Sequence, residues 1–183
     1  MTPRKLAIAA IGRDRVGLVR GVSRVLFRHG CNIEDSSMTI LEGEFAMILI
    51  VSLPAAGRVE RLKNALGSAG RKLGLTLNVN PIRPAADRKK RAGPARPYLI
   101  SVMGRDRTGI VYRMSDLLAR MRVNITDLNA KRVGRGSATL YCMVIEVELP
   151  AREHPDRLRR KLQAAAKTLG LDLTLKPVEA LQL

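Results

Sequence analysis

The pattern of apolar and polar positions along the first part of the chain predicts a strand followed by a helix. Residues 6–11 form a short apolar run, which is typical of a buried strand. Apolar side chains then recur at helical spacing over 18–26, while arginines lie between them on another face. Gly30 follows this stretch and is suited to end the helix, because glycine readily adopts the left-handed conformation found at helix ends.

The pattern then changes to that of two strands, a second helix and a last strand. Residues 32–41 and 45–53 are predicted to be strands joined by a tight turn at 42–43. A helix is predicted over 59–73, with its leucines facing inward, and a short strand over 75–79. The element order of this first part is therefore βαββαβ.

The same order is predicted a second time along the rest of the chain. The second series has strands at 98–103, 124–132, 138–149 and 171–176, and helices at 108–121 and 155–169. The sequence therefore predicts an α/β (α+β) protein of two ferredoxin-like sandwiches in tandem. We expect a first domain at 1–82, an exposed basic linker rich in Pro and Ala at 83–97, and a second domain at 98–183.

Two pairs of short sequences indicate that the second series is a copy of the first. GRDRVGLV at 12–19 recurs as GRDRTGIV at 104–111, and CNIED at 31–35 recurs as VNITD at 123–127. These matches are 92 positions apart, whereas later matches are 96 positions apart. An insertion of four residues in a Gly-rich turn of the second copy accounts for the change. The chain is therefore an internal duplication.

One predicted strand is too apolar to be buried on a single face. FAMILIV at 45–51 is apolar at both odd and even positions. Helices of the same domain can cover only one face of the sheet, so the other face needs a partner. We expect that partner to be either the sister domain or another subunit, which predicts a homo-oligomer as one solution.

Basic residues dominate the charge of the chain. It has 33 Lys and Arg against 16 Asp and Glu, which gives a formal net charge of +17. A surface of this charge suits a nucleic acid or an acidic protein partner. Biased amino-acid usage is the simpler interpretation, because the basic residues are spread along the whole chain. Both interpretations stay open on composition alone.

Base stacking on the sheets and catalysis are both disfavoured. RNA-recognition motifs share the βαββαβ order and stack bases on exposed aromatic residues of the central strands. Here the candidate rings are Phe45 in the first copy and Tyr141 in the second, and two rings are too few for two domains. No Ser/His/Asp or Cys/His set repeats between the two copies, so we do not expect an enzyme.

Cysteine, histidine and hydropathy patterns point to no cofactor and no membrane. Cys31 and Cys142 form neither a disulfide framework nor a metal-binding motif, and only two histidines accompany them. No stretch approaches the ~18 apolar residues of a membrane span, and the N-terminal apolar run is shorter than that of a signal peptide. We therefore expect a cytoplasmic protein without metal or cofactor.

The repeated loop before the first helix of each copy has two interpretations. Asp14 can serve simply as an N-cap, with Gly17 in the first helical turn. Alternatively, the helix start can hold a ligand carboxylate on its free N–H groups, which the glycine leaves accessible. Asn32 and Asn124 open the next strand, where a carboxamide can read an amino acid or merely tolerate a turn.

The combination of these elements closely resembles the ACT domain family. Asp-Arg-x-Gly-[Leu/Ile]-Val is followed by Asn-Ile fifteen residues after the Gly, inside a βαββαβ unit, twice. The resemblance covers nearly the whole chain apart from the linker and the ends. The family often has Pro between the Arg and the Gly, where this chain has Val16 and Thr108.

The resemblance implies a site and a function. ACT domains bind small amino acids where two domains meet, using the loop before the first helix and the start of the second strand. Carried over to this sequence, the ligand-binding residues are Asp14, Arg15, Val16, Gly17, Asn32 and Ile33, and Asp106, Arg107, Thr108, Gly109, Asn124 and Ile125.

Two ACT domains without a catalytic domain are most similar to the branch of the family that represses transcription of the glycine cleavage system. This implies a non-catalytic regulatory protein that responds to glycine or serine and acts on a regulatory protein partner. The alternative is a regulator that binds nucleic acid directly through its basic surface. Salt dependence separates the two, since binding driven by phosphates weakens steeply with ionic strength.

Overall fold

The chain divides into two units, which span 1–85 and 86–183. The structure, a computed structural model, describes residues 3–82, 95–134 and 139–178. Most of the predicted linker and the tip of the Gly-rich turn lie outside the described residues. Among the described helices, none is both long enough and apolar enough to cross a membrane.

The first unit has the predicted βαββαβ order. Its elements are β1 (Arg4–Arg13), α1 (Leu18–Arg28), β2 (Asn32–Leu41), β3 (Glu44–Leu53), α2 (Val59–Leu73) and β4 (Leu75–Pro81). The turn between β2 and β3 has positive φ at both Glu42 (49°) and Gly43 (82°), which suits the twist of a two-residue hairpin. Gly30 has φ 66° and follows His29, the C-cap residue of α1, so the predicted glycine at the end of this helix is confirmed.

The second unit repeats this order. Its elements are β5 (Ala95–Arg105), α3 (Ile110–Arg120), β6 (Asn124–Val133), β7 (Leu140–Pro150), α4 (Pro155–Leu169) and β8 (Leu171–Pro177). The strand β5 begins three residues before the predicted start, because Ala95, Arg96 and Pro97 pair with the end of β7. Both units are ferredoxin-like, as predicted.

Each unit contains one four-stranded antiparallel sheet. The strand orders are β2-β3-β1-β4 and β6-β7-β5-β8, so the second strand of each unit lies at an edge. Both edge strands carry a β-bulge two residues after they begin, between Ile33 and Asp35 in β2 and between Ile125 and Asp127 in β6. The bulge leaves one residue without a partner in the register of each edge strand.

The core of each unit lies between the helices and one face of the sheet. In the first unit, alternate residues of β1 and β3 are buried against leucines and a valine at helical spacing, Leu18, Val22 and Leu26 of α1. The opposite sheet face is open: Ile48 of β3 is 56% exposed and Ile11 of β1 is 60% exposed. The helices of the unit therefore leave this face of the sheet uncovered, and the predicted partner for it is not within the unit.

Candidate functional site

The loop that joins β1 to α1 is fixed against the neighbouring hairpin. The backbone N–H of Asp14 donates to the carbonyl oxygen of Gly43 at 2.8 Å. The carboxylate of Asp14 makes no capping hydrogen bond to the start of α1, and Asp14 is exposed. The interpretation of Asp14 as an N-cap is wrong, since no side chain caps α1.

Glycine occupies the N-cap position of the first helix in both units. Gly17 has φ 97° and Gly109 has φ 93°, a left-handed conformation that strains any residue with a side chain. Both glycines therefore precede the helix. The prediction that Gly17 lies within the first helical turn is wrong. A Cβ on either would meet no atom within 4 Å, so the space in front of each helix is open.

The starts of α1 and α3 differ from those of the other two helices. Neither α1 nor α3 has a capping side chain or an acidic residue in its first turn. By contrast, α2 has Glu60 in its first turn, and α4 has Asp156 there with the ring of His154 accepting from the Asp156 N–H. The first N–H groups of α1 and α3 are left for solvent or for an anion.

A groove of about 370 Å³ lies in front of the α1 start. The loop and the first turn of α1 line the groove together with two apolar residues of the sheet. The loop and helix residues are Asp14, Arg15, Val16, Gly17, Leu18, Val19 and Arg20, and the sheet residues are Met38 and Phe45. Met38 and Phe45 were not predicted as site residues. Their positions depend on the pairing of β2 with β3, which brings residues distant in sequence beside the loop.

The remaining residues of the first loop have separate environments. The guanidinium of Arg15 donates to the backbone oxygen of Lys72 at 2.9 Å, near the end of α2. Val16 is fully exposed. All four predicted loop residues line the groove. Asp14 brings an exposed carboxylate to it and Gly17 an accessible backbone, whereas the guanidinium of Arg15 is bonded to Lys72.

The corresponding loop of the second unit is partly neutralised. Asp106 lies 3.9 Å from the guanidinium of Arg132 on β6, whereas no ion pair involves Asp14 among the described residues. Tyr141 lies close enough to be affected by Asp106: burial raises the pKa of its hydroxyl, and the negative charge of Asp106 raises that pKa further. Arg107 and Thr108 are exposed.

The asparagines lie at the opposite end of the sheet from the loop of their own unit. Asn32 pairs with Ser52, near the start of β1, whereas Asp14 follows the end of β1 beside Gly43. A strand of ten residues rises about 3.3 Å per residue, so roughly 30 Å separates the two ends. No single unit brings its predicted loop and asparagine residues together.

The two copies of the asparagine element also differ. The Asn124 amide donates to the carboxylate of Glu148 at 3.4 Å, whereas Asn32 faces Ser52 and has no hydrogen bond from its side chain within the described part of the chain. Ile125 packs against the core of its unit, while Ile33 is 41% exposed. The first copy is thus the more accessible one.

Several proteins of known sequence or structure are similar to this chain. A UPF0237 protein of Methanopyrus kandleri is 42% identical over 76 residues, which is 41% of this chain and 84% of that protein. A UPF0237 protein of Methanocaldococcus jannaschii is 40% identical over 77 residues, again 41% of this chain and 84% of that protein. Each match has about the length of one repeat.

Two crystal structures match nearly the whole chain. An unknown protein from Galdieria sulphuraria has a TM-score of 0.84 at 29% identity, and covers 97% of this chain and 100% of its own. A "putative glycine cleavage system transcriptional repressor" has a TM-score of 0.69 at 20% identity, over 98% of this chain and 99% of its own. At that identity the second likeness concerns the fold alone.

The family itself is identified by sequence. The model of the ACT domain matches twice, at residues 4–80 and 96–176, which together make up most of the chain. These two matches coincide with the two βαββαβ units and include both copies of the loop and of the asparagine element. The chain therefore belongs to the ACT domain family and contains two ACT domains in tandem.

Proposed function

We propose that this protein is a regulatory protein that binds a small amino acid, glycine or serine, where two ACT domains meet. One observation carries the proposal: the N-terminus of α1 opens on a groove without any capping side chain. The N–H groups and the positive end of the helix dipole there favour a carboxylate. Gly17 lets that carboxylate approach the backbone without a clash.

The other charged end of the amino acid has a partner in the same groove. The carboxylate of Asp14 is exposed, and no ion pair of a described residue neutralises it, so it can accept from the ligand ammonium. In the second unit, Asp106 already faces Arg132. The proposal therefore assigns the stronger site to the loop of the first unit.

The asparagine of the site comes from a different ACT domain. Asn32 and Asn124 lie too far from the loop of their own unit to contact the same ligand, as the strand register indicates. Assembly of ACT domains, including domains of separate copies of the chain, supplies the missing carboxamide. Ligand binding then favours one assembly over another by its difference in affinity for the two.

Regulation of a protein partner is the proposed outcome of that assembly. The sequence resemblance to the branch of the family that represses the glycine cleavage system makes glycine the first ligand to test, together with serine. In this proposal the ligand changes which surfaces of the ACT domains are available to the partner. The chain itself performs no reaction.

Calorimetric titration with glycine, serine and two blocked analogues tests the proposal. Glycine is expected to bind, whereas glycinamide lacks the carboxylate that the helix holds and N-acetylglycine lacks the ammonium that Asp14 holds. A ligand at ~100 times its dissociation constant adds roughly 2.7 kcal/mol to the free energy of unfolding, so a raised thermal midpoint provides a second measurement.

Paired variants locate the site. Asp14→Asn is expected to abolish binding, while the matched Asp106→Asn variant leaves most of it, because Asp106 is paired with Arg132. Asn32→Ala and Asn124→Ala then identify which asparagine completes the pocket. The proposal is wrong if neither amino acid binds, or if glycinamide binds as well as glycine.

A further inference from the structure

Three arginines form a row along the outer face of α1. Arg20, Arg24 and Arg28 are spaced by four residues, and all three are exposed. Consecutive members are therefore about 6 Å apart along the helix axis, and the row is about 12 Å long. No ion pair within the described part of the chain involves any of the three. The row is an uncompensated stripe of positive charge.

The row borders a groove between α1 and α2. This groove has a volume of about 280 Å³, and Arg24, Arg28 and Lys72 lie along it. Small residues of α2, Ala65 and Ala69, form part of its lining, and no carboxylate is among its lining residues. The groove thus presents three cations beside a surface to which α2 contributes small residues.

An aromatic side chain stands beside the arginines. Phe27 is 82% exposed and belongs to the outer face of α1. It is three residues after Arg24, a spacing that makes the two side chains neighbours on a helix surface. Because most of this side chain is exposed, the ring is available to a partner that can stack on it.

The second unit does not carry the same surface, although it is a copy of the first. The residue at the position of Arg24 is Asp116, which forms an ion pair with Arg120 at 3.0 Å. The position of Phe27 is occupied by Ala119. General enrichment in arginine would act on both copies alike, so the difference singles out the first unit.

We propose that the α1 row, Arg20, Arg24, Arg28 and Phe27, together with the α1–α2 groove, binds a single-stranded nucleic acid. Arginine guanidinium groups suit backbone phosphates, and the row is long enough to face more than one phosphate of a strand. Phe27 provides the stacking surface that sequence-independent binders of single strands use. This surface lies on the helices, whereas RNA-recognition motifs use the sheet.

An acidic protein surface would satisfy the charge but not the aromatic residue. Carboxylates pair with arginines and leave an adjacent phenyl ring without a partner. A nucleic-acid strand offers phosphates and bases side by side, which matches cations and a ring on one helix face. The chemistry of the combined surface therefore favours a single-stranded nucleic acid over an acidic protein.

Binding of a fluorescent mixed-sequence oligonucleotide to the full chain, measured across a range of salt concentrations, tests the proposal. We compare wild type with the double variant Arg24→Glu/Arg28→Glu on α1. The control is Arg160→Glu/Lys161→Glu on α4, which lowers the net charge of the chain by the same amount. The logarithm of the binding constant falls with that of salt by about 0.7 per phosphate contact. Because it loses two phosphate contacts, the α1 variant is expected to have a salt dependence that is less steep by about 1.4. The α4 variant is expected to have the salt dependence of wild type.

The variant Phe27→Ala distinguishes binding of a single-stranded nucleic acid from binding of other polyanions. It is expected to weaken oligonucleotide binding about tenfold with an unchanged salt slope, because stacking and not charge is lost. All the substituted residues are exposed, so an unchanged unfolding midpoint checks that the variants fold. The proposal is overturned if both double variants weaken binding equally, if Phe27→Ala has no effect, or if duplex DNA or polyglutamate binds as well as the single strand.

Discussion

Gly12 of β1 lies against the backbone carbonyl oxygen of Gly74, so close that a β-carbon at residue 12 would overlap that oxygen. Gly74 ends α2 in a left-handed conformation, with φ 67°. The first glycine of the repeated octapeptide is therefore required for packing. The second, Gly17, is required for its backbone conformation and has open space around it.

Replacing Gly12 by alanine is expected to destabilise the first unit by about 1–3 kcal/mol, because backbone atoms must move to admit the methyl group. Urea unfolding measures the loss. Gly104→Ala in the second unit is the matched variant, and its Cβ would meet Leu171 Cδ2 at 2.6 Å and Gly170 O at 3.0 Å. A smaller loss is expected there, since the closest atom belongs to a side chain. An unchanged midpoint for Gly12→Ala would contradict the packing role.

Replacing Gly17 by alanine is expected to cost about 1–2 kcal/mol through strain alone, because its φ of 97° is unfavourable for an L-residue. Gly67 in the interior of α2 provides the control. A Cβ there meets only the distant end of Arg71, at 3.9 Å, so Gly67→Ala is expected to stabilise by up to about 1 kcal/mol. Thermal unfolding of the two variants should shift in opposite directions, and a shift in the same direction would refute the assignment of strain to Gly17.

The open sheet face of the first unit predicts self-association that depends on Ile48. This side chain is 56% exposed, so Ile48→Glu is expected to leave the unfolding midpoint nearly unchanged while lowering the mass seen by sedimentation velocity. Met47→Glu is the control on the neighbouring residue, which is 4% exposed, and burial of its charge should unfold the unit. Equal masses for wild type and Ile48→Glu would exclude this face from association.

Removing the charge of Asp106 is expected to lower the pKa of Tyr141. Burial is the larger cause of the raised pKa and persists in Asp106→Asn, so the pKa should fall only part of the way to its ordinary value. Phenolate absorbance during an alkaline titration measures the change, with Tyr141→Phe used to identify the transition. The same titration in Asp116→Asn should match wild type, and a comparable fall there would indicate a general effect of net charge.

The sign of the stability effect follows from the direction of this shift. A tyrosine whose pKa is higher in the folded state adds stability that is fully present below the ordinary value of about 10. That stability is lost as the pH rises through the raised, folded-state pKa. Asp106→Asn should therefore show a smaller decrease in unfolding free energy over this alkaline range than wild type.

Periodicity and the internal repeat were sufficient to predict the fold of each unit. The helix at 155–169 and the strand at 32–41 begin and end where the sequence predicts them. The helix has apolar residues at helical spacing and is followed by Gly170, and the strand lies between Gly30 and Gly43. Local patterns were less reliable at the start of α1. There the backbone of Asp14 bonds to Gly43, a residue 29 positions later, and no local rule anticipates such a contact.

The candidate site was predicted only in part, for a topological reason. The loop and the asparagine are separated by one helix, and a helix that crosses the sheet returns the chain to the opposite end. Met38 and Phe45 enter the groove through strand pairing, so their role depends on a register that the bulge after Ile33 also shifts. Sequence spacing specifies which residues recur, whereas pairing between strands determines which of them meet.

The bulges in the edge strands bear on the history of the chain. They occur at equivalent positions, after Ile33 and after Ile125, although the residue inserted is Glu34 in one copy and Thr126 in the other. A shared irregularity with different side chains is most simply inherited from a single ancestral domain that already possessed it. The gene duplication thus copied a bent edge strand, and later divergence changed its chemistry without straightening it.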